Sequence, residues 1–248
     1  GLVDNAPGWG GGFRRASFRF AGVAAGRLRI DFAGHSTFLI TSPRGVKVAT
    51  DYNDYYRARV LPDIATMSGP HQNHATWTIE PEITHALYGW DRSGSGVWPR
   101  HDVTVKDLRV YSVPVNLTNR SIFYYFPSSV FVVESNGLCV AHLGLLGHVL
   151  DREFAARIGR IDVLMTPIDR RVTQSMEEIV RNIRILDPRL VIPMHYNAEI
   201  TVEDFLQKVS AFYTVRRTGG TSFIAEKHKM PAKTEVLYLK PPVFTPGF

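Results

Sequence analysis

Five of the nine histidines lie in short segments that come after apolar runs, at places where a strand would end in a loop. Histidines in such loops can converge on one point, because the ends of neighbouring strands lie side by side. Imidazole is also a common ligand for zinc and related metals. The pattern therefore indicates a candidate metal-ligating centre. The five residues are His71, His74, His142, His148 and His195.

Short β-rich segments separated by turn residues surround these histidines, and such spacing is typical of antiparallel meanders. The pattern predicts strands at 17–23, 28–32, 37–41 and 46–51, and later at 108–113, 122–126, 129–134, 138–142, 163–166, 190–194, 221–225 and 235–239. Asn136-Gly137 predicts a two-residue hairpin turn.

Helical periodicity appears only after the second set of strands. Apolar residues recur at three- and four-residue spacing over 173–186, and helices are also expected at 152–158 and 201–212, the last with Thr201 as its N-cap. We interpret the chain as two halves, each of which runs from strands into a helix or two. Two halves stacked through their sheets give an α/β fold, a four-layer αββα sandwich.

The domain organisation predicted from composition is simple. Residues 1–16 are rich in Gly and Pro and predict an irregular N-terminal arm, whereas 17–248 contain no linker and predict a single domain.

The net charge of +6 comes from Lys and Arg that are scattered along the chain. A nucleic-acid surface would concentrate them on one element, so a small-molecule substrate or ligand is the expected partner rather than nucleic acid. No apolar stretch approaches the roughly 20 residues of a membrane span. Cys139 is the single cysteine, so cysteine usage does not discriminate a periplasmic or secreted protein from a cytoplasmic one. A homo-oligomer is compatible with the sequence.

Five passages, in order, resemble motifs of the metallo-β-lactamase superfamily, in particular its bacterial hydrolases similar to the ascorbate-lactonase type. They are GHSTFLI at 34–40, VATDY at 48–52, SGPHQNH at 68–74, HLGLLGH at 142–148 and IPMHY at 192–196. The resemblance implies the αββα fold and a metal-dependent hydrolase site.

The departures from the family pattern fall on the metal ligands. Gly69 stands where the family signature has its first histidine, and Asn73 where it has a metal-binding aspartate. Leu145 replaces the bridging aspartate, and Asn116 replaces a further histidine. Two close dications need carboxylates to offset their charge, so a two-metal centre is not expected.

The resemblance leaves one metal ion, zinc or else manganese or iron, with His71, His74 and His195 as its ligands and His142 or His148 as substitutes. Asn73 and His148 are the candidate catalytic residues. His35 and Asp51 are expected to serve their turns rather than the chemistry. The residues expected to line the cleft are Asn116, His142, Leu145 and Tyr196.

Two functions remain open at this point. The first is a hydrolase of a lactone, ester or phosphoester that uses a single zinc-bound water. The second is a metal-free pseudo-enzyme that keeps the fold and binds a small ligand or a partner.

Overall fold

The structure, a computed structural model, describes residues 23–119 and 124–242, with side chains described outside 116–126. Its strands are β1 Arg27–Gly34, β2 Thr37–Thr41, β3 Lys47–Ala49, β4 Ile64–Met67, β5 His85–Tyr88, β6 Asp102–Val105, β7 Leu108–Asn119, β8 Tyr124–Ser135, β9 Leu138–His142, β10 Val163–Pro167, β11 Leu190–Met194, β12 Thr214–Arg217, β13 Ser222–Glu226 and β14 Glu235–Tyr238. Its α-helices are α1 Arg152–Ile158, α2 Met176–Leu186 and α3 Glu199–Val209, and a short 3-10 turn covers Lys227–Lys229.

The described strands form two sheets. The six-stranded sheet has the order β13-β1-β2-β3-β4-β5, and the eight-stranded sheet has the order β12-β14-β11-β10-β9-β8-β7-β6. In each sheet an antiparallel part continues into a parallel part, β3-β4-β5 in the first and β9-β10-β11-β14-β12 in the second. The parallel strands of each sheet therefore end at a common edge, where loops can meet.

The hairpin β7–β8 differs from its prediction. The apolar patterns predict separate short strands, but the structure has two continuous strands of 12 residues each that pair along their whole length. Pro114 and Pro127 interrupted the sequence pattern without ending either strand. The turn after β8 is as predicted, with Asn136 and Gly137 both at positive φ, as a type I′ turn requires.

The main core lies between the two sheets and follows from the alternation of side chains along the strands. In β1 every second residue is buried, and Leu28 and Ile30 have no exposed surface. They belong to one cluster with Val140 and Met165 of the other sheet. Burial of large apolar side chains contributes roughly 1.5–3 kcal/mol each, so this interface is a main source of stability.

All described α-helices belong to the second half of the chain. Apolar residues of α2 and α3 form a second cluster with the outer face of the eight-stranded sheet. Ser175 and Glu178 form a capping box that starts α2 three residues after the predicted boundary. The helix predicted from Thr201 begins at Glu199, and Ala198 at its N-cap makes no side-chain hydrogen bond, so Thr201 is not the cap.

The outer face of the six-stranded sheet carries loops in the described residues. Tyr52, Ala75 and Trp90 pack there against Leu39 and Met67. The predicted α/β sandwich is confirmed by the two packed sheets, although among the described residues the α-helices cover only the eight-stranded sheet. The predicted arm and, apart from Val23, the predicted strand at 17–23 lie outside the described residues.

Among the described residues, no helix has both the length and the apolar character needed to cross a bilayer.

Candidate metal centre

Three buried histidines from different loops meet at the edge where the parallel strands end. His35 lies in the turn between β1 and β2, His74 in the loop after β4, and His195 directly after β11. One ligand nitrogen from each residue lies within 4.8 Å of the other two. The His35 and His195 ring centroids are 4.3 Å apart, and those of His74 and His195 are 4.8 Å apart. This set, called the histidine cluster below, could hold a metal ion.

The cluster has imidazole nitrogens without a hydrogen-bond partner among the described residues. They are Nδ1 and Nε2 of His35, Nε2 of His74 and Nδ1 of His195, all buried. An unsatisfied buried polar group costs about 1–3 kcal/mol, so such atoms are rare in a folded protein. A metal ion would satisfy one nitrogen of each ring, the one that carries the lone pair of the neutral imidazole.

The backbone at the site adopts conformations that most residues avoid. His35, His195 and Asp51 have φ values of 53°, 58° and 42°. Left-handed conformations cost non-glycine residues roughly 1–2 kcal/mol each. The backbone N–H of His195 donates to the carbonyl of His35 over 2.7 Å, which ties the two sheets together at the cluster.

Asp51 follows β3 and holds His74 in place. Its Oδ2 lies 2.5 Å from Nδ1 of His74, and its Oδ1 accepts a 2.9 Å hydrogen bond from the backbone N–H of Ser68. Burial acts to raise the pKa of Asp51, but His74, His142 and the hydrogen bonds outweigh it and lower the pKa. The carboxylate therefore accepts the Nδ1 proton of a neutral His74, which leaves Nε2 with a free lone pair.

Burial makes His35 and His74 poor bases. Burial is the largest cause and the neighbouring His195 adds to it, so that, although Asp51 opposes the shift, the pKa of His74 is lowered to about 4 and that of His35 to about 2. Neutral imidazole is the form that binds metal, so His35 and His74 are in their ligating state at neutral pH.

Asp169 lies two residues after the end of β10, and its carboxylate approaches the ring of His195. Its Oδ1 lies 3.5 Å from Nδ1 of His195, and its Oδ2 accepts a 2.7 Å hydrogen bond from the N–H of Val172. Burial opposes ionisation of Asp169, but His195, Thr173 and Val172 outweigh it and lower its pKa. Each of these two histidines thus has a carboxylate behind it.

His142 lies at the same end of the sheets, but both of its ring nitrogens are hydrogen-bonded. Its Nε2 donates to the carbonyl of Ser36 over 2.8 Å, and its Nδ1 accepts from the N–H of Gly144 over 3.2 Å. Because both nitrogens are engaged, His142 acts as a support between the sheets.

The predicted ligand His71 lies beside the cluster but outside it. Its ring centroid is 5.8 Å from that of His74, and its side chain is exposed. Burial of part of the ring and the nearby His195 lower its pKa. The adjacent Asn73 is tied through its backbone carbonyl to Asn53, over 3.0 Å.

The other predicted site residues fall in three different places. His148 hydrogen-bonds the carbonyl of Val149 and packs its ring against Phe154 of α1, in the helical layer. The side chain of Asn116 lies outside the described residues. Tyr196 is half-buried and lines a cleft next to His35.

Leu145 packs against Gly69. It is 4% exposed, and a Cβ atom added to Gly69 would lie only 2.9 Å from its Cδ1. These are the two positions at which the motif comparison predicts a lost histidine and a lost bridging aspartate. The two predicted departures are therefore neighbours in space, and Leu145 brings no donor atom to their contact.

The cleft beside the cluster has a volume of about 600 Å³. His35 belongs both to the cluster and to the wall of this cleft. A molecule in the cleft would therefore contact the candidate metal centre.

Sequence reasoning missed three members of this site. His35 was expected to hydrogen-bond the backbone through its ring, but neither ring nitrogen has a hydrogen-bond partner among the described residues. Asp51 was expected only to fix its turn, but its carboxylate also pairs with His74. Asp169 does not belong to any motif identified in the sequence. The approach of His35 and Asp169 to His195 depends on tertiary packing, although the position of His35 within GHSTFLI was a signal.

Comparison with known proteins identifies the family. The sequence pattern of the β-lactamase superfamily domain matches residues 29–195, which is more than half of the chain. The chain belongs to the metallo-β-lactamase superfamily. The matched range begins in β1 and ends at His195, so it includes the whole histidine cluster.

Relatives in the superfamily are similar over most of their length. The chain is 38% identical over 194 residues to a metal-dependent hydrolase of Pyrococcus furiosus, covering 68% of this chain and 85% of that protein. It is 23% identical over 211 residues to a metal-dependent hydrolase of Methanosarcina mazei, covering 74% and 91%.

A solved structure supports the same assignment. A proposed zinc-dependent hydrolase of the superfamily from Thermotoga maritima superposes with a TM-score of 0.63 and 26% sequence identity, covering 87% of this chain and all of that one.

Proposed function

We propose that this protein is a metal-dependent hydrolase that uses a single metal ion, held by His35, His74 and His195. The observation that carries the proposal is the approach of their ligand nitrogens to within 4.8 Å of one another, with buried nitrogens of His35 and His74 unpaired in the described residues. The names of the similar proteins support the hydrolase class.

The donor set fits a zinc ion. Catalytic zinc sites commonly use three protein ligands, three histidines among them, and keep one position open. Ligand nitrogens on a tetrahedral zinc lie roughly 3.4 Å apart, so the rings would move inward on binding. Asp51 and Asp169 would supply negative charge behind two of the three ligands.

Zinc bound here would act as a Lewis acid and lower the pKa of water to about 7. The residues of the protein position the metal ion and the substrate. Asp51 fixes the tautomer of His74, and the backbone hydrogen bond between His35 and His195 fixes the separation of these two residues. The cleft beside His35 admits the substrate.

A single ion fits this chain better than two. The packing of Leu145 against Gly69 leaves no donor and little space where a second ion would need both. Asn73 offers a neutral amide in place of a carboxylate, so two close dications would repel without compensation.

Our ligand set differs from the sequence-based one by one residue, His35 in place of His71. We infer that His71, exposed beside His74, contacts water or substrate near the open position. Asn73 could hydrogen-bond the substrate from the same loop.

Metal content tests this assignment. Protein dialysed against zinc and then against metal-free buffer should retain about one zinc per chain. His35→Asn should lose it, and asparagine is chosen because it tolerates the left-handed backbone at this position. His148→Ala is the matched control and should keep its zinc, because His148 lies outside the cluster and packs against Phe154 of α1.

His71→Ala separates the two ligand sets. We expect it to keep the metal and to lose activity on an ester or lactone such as dihydrocoumarin. Loss of zinc in His71→Ala together with retention in His35→Asn would instead support the set predicted from sequence. A wild-type protein that binds no zinc, manganese or iron, and shows no thermal shift with any of them, would be a metal-free binding protein.

A further inference from the structure

The cleft next to His35 has walls that are mainly aromatic and apolar. Phe32, Tyr56, Tyr196 and Tyr238 line it, together with Pro241 and Pro242. The Tyr56 ring stacks on His35 with a centroid separation of 5.3 Å. The aromatic lining therefore begins at the candidate metal centre and continues outward from it.

The charged groups of the cleft largely cancel. Arg217 donates two hydrogen bonds of 2.7 and 2.6 Å to Glu203 and lies over the Tyr238 ring, so its charge is already offset. The other charged lining residues, Glu199 and Lys240, have opposite signs. The side chains that line the cleft therefore offer a doubly charged phosphate no net positive charge beyond that of a bound metal ion, and Glu199 would repel it.

We propose that this cleft binds the apolar or aryl body of the substrate, so that the substrate class is uncharged esters or lactones with a medium-length alkyl or aryl group. The inference rests on the proposed function for the reaction and on the cleft for the specificity. A volume of about 600 Å³ is in the range that holds a drug-sized ligand. Aromatic walls favour such a group over a phosphorylated sugar, whose hydroxyls would leave water for an apolar surface.

A chain-length series of p-nitrophenyl esters, acetate to octanoate, tests the specificity on the zinc-loaded protein. If each added methylene enters the cleft, kcat/KM should rise about two- to fourfold per methylene until the cleft is full. p-Nitrophenyl phosphate should be the poorest substrate. A flat series, or a preference for the phosphate, would overturn the proposal.

Ala198→Trp locates the effect in the cleft. Ala198 is exposed, lines the cleft, and makes no side-chain cap hydrogen bond, so the variant should fold. It should lower kcat/KM for the octanoate at least about tenfold and leave the acetate nearly unchanged. Gln207→Trp, exposed on the same helix and outside the cleft lining, is the matched control and should behave as wild type. Equal behaviour of the two variants on the octanoate would contradict the proposal.

Binding without turnover separates this inference from the proposed function. Chelator-treated protein should bind 4-phenylbutan-2-one, an uncharged aryl ketone, in the low-millimolar range or tighter by ligand-observed NMR. Ala198→Trp should weaken that binding, and glucose 6-phosphate should not compete. Such binding in a protein that hydrolyses no ester would refute the hydrolase while supporting the cleft. Absence of ketone binding, or displacement by glucose 6-phosphate, would refute the cleft assignment whatever the activity.

Discussion

Replacement of Asp51 by asparagine is the sharpest test of how the candidate metal centre is held. Both carboxylate oxygens act as acceptors, one for the backbone N–H of Ser68 and one for the ring of His74. Asparagine has the same shape but offers one acceptor and one donor group. One of the two buried N–H groups would therefore face the amide NH₂.

The expected loss follows from that single mismatch. An unsatisfied buried donor costs about 1–3 kcal/mol, and removing the buried charge offsets part of this. Because asparagine tolerates positive φ, the backbone at 42° adds no new strain. His74 loses its fixed tautomer, and loss of such a support typically weakens metal affinity 10- to 100-fold.

Two measurements check this reasoning, urea unfolding of the metal-free protein and isothermal titration with zinc. Asp187→Asn is the matched control, because Asp187 also has a φ of 42° but is exposed at the end of α2. It should leave both the free energy of unfolding and zinc affinity unchanged within error. The positioning role of Asp51 would be refuted if Asp51→Asn bound zinc as tightly as Asp187→Asn does.

Three further predictions concern packing and pH. Gly144→Ala should lower the free energy of unfolding, measured in urea, by about 3 kcal/mol, because the new Cβ would lie 2.3 Å from that of Ser68. Gly137 is also at positive φ but has open space around it, so the control Gly137→Ala should cost only about 1 kcal/mol. Equal losses in the two variants would contradict the packing argument. Leu145→Ala should lower the free energy of unfolding by about 2–5 kcal/mol in the same measurement, since the side chain is only 4% exposed. A loss under about 1 kcal/mol would contradict this, because it would mean that neighbouring side chains fill the cavity at little cost. In the presence of a chelator, the free energy of unfolding should fall as the pH drops from about 6.5 to 4. In this range the histidines of the unfolded chain take up protons, whereas in the folded protein the pKa of His74 is lowered to about 4 and that of His35 to about 2. Each group contributes up to about 1.4 kcal/mol per pH unit, and His35→Asn should reduce the slope measured between pH 7 and 5.

Much of the secondary structure could be predicted because its signals are local. The strand at Leu138–His142, its hairpin turn and the helix at Arg152–Ile158 have the predicted bounds, since alternation, turn chemistry and helical spacing act within a few residues. The β7–β8 hairpin shows where this stops. Its prolines interrupt the pattern, but the strands still pair across them.

The sequence alone determined the family and the fold class, and it predicts the departures from the metal-ligand motif, because these depend on residue identity and order. Tertiary structure decided which histidines share a centre. His35 and His195 are 160 positions apart in the chain, and their approach depends on a backbone hydrogen bond between two sheets. Likewise, Gly69 and Leu145 are two separate predicted departures in the sequence, and only the packing shows that they are in contact. Distance through space depends on how whole sheets stack, and no local pattern of residues encodes that.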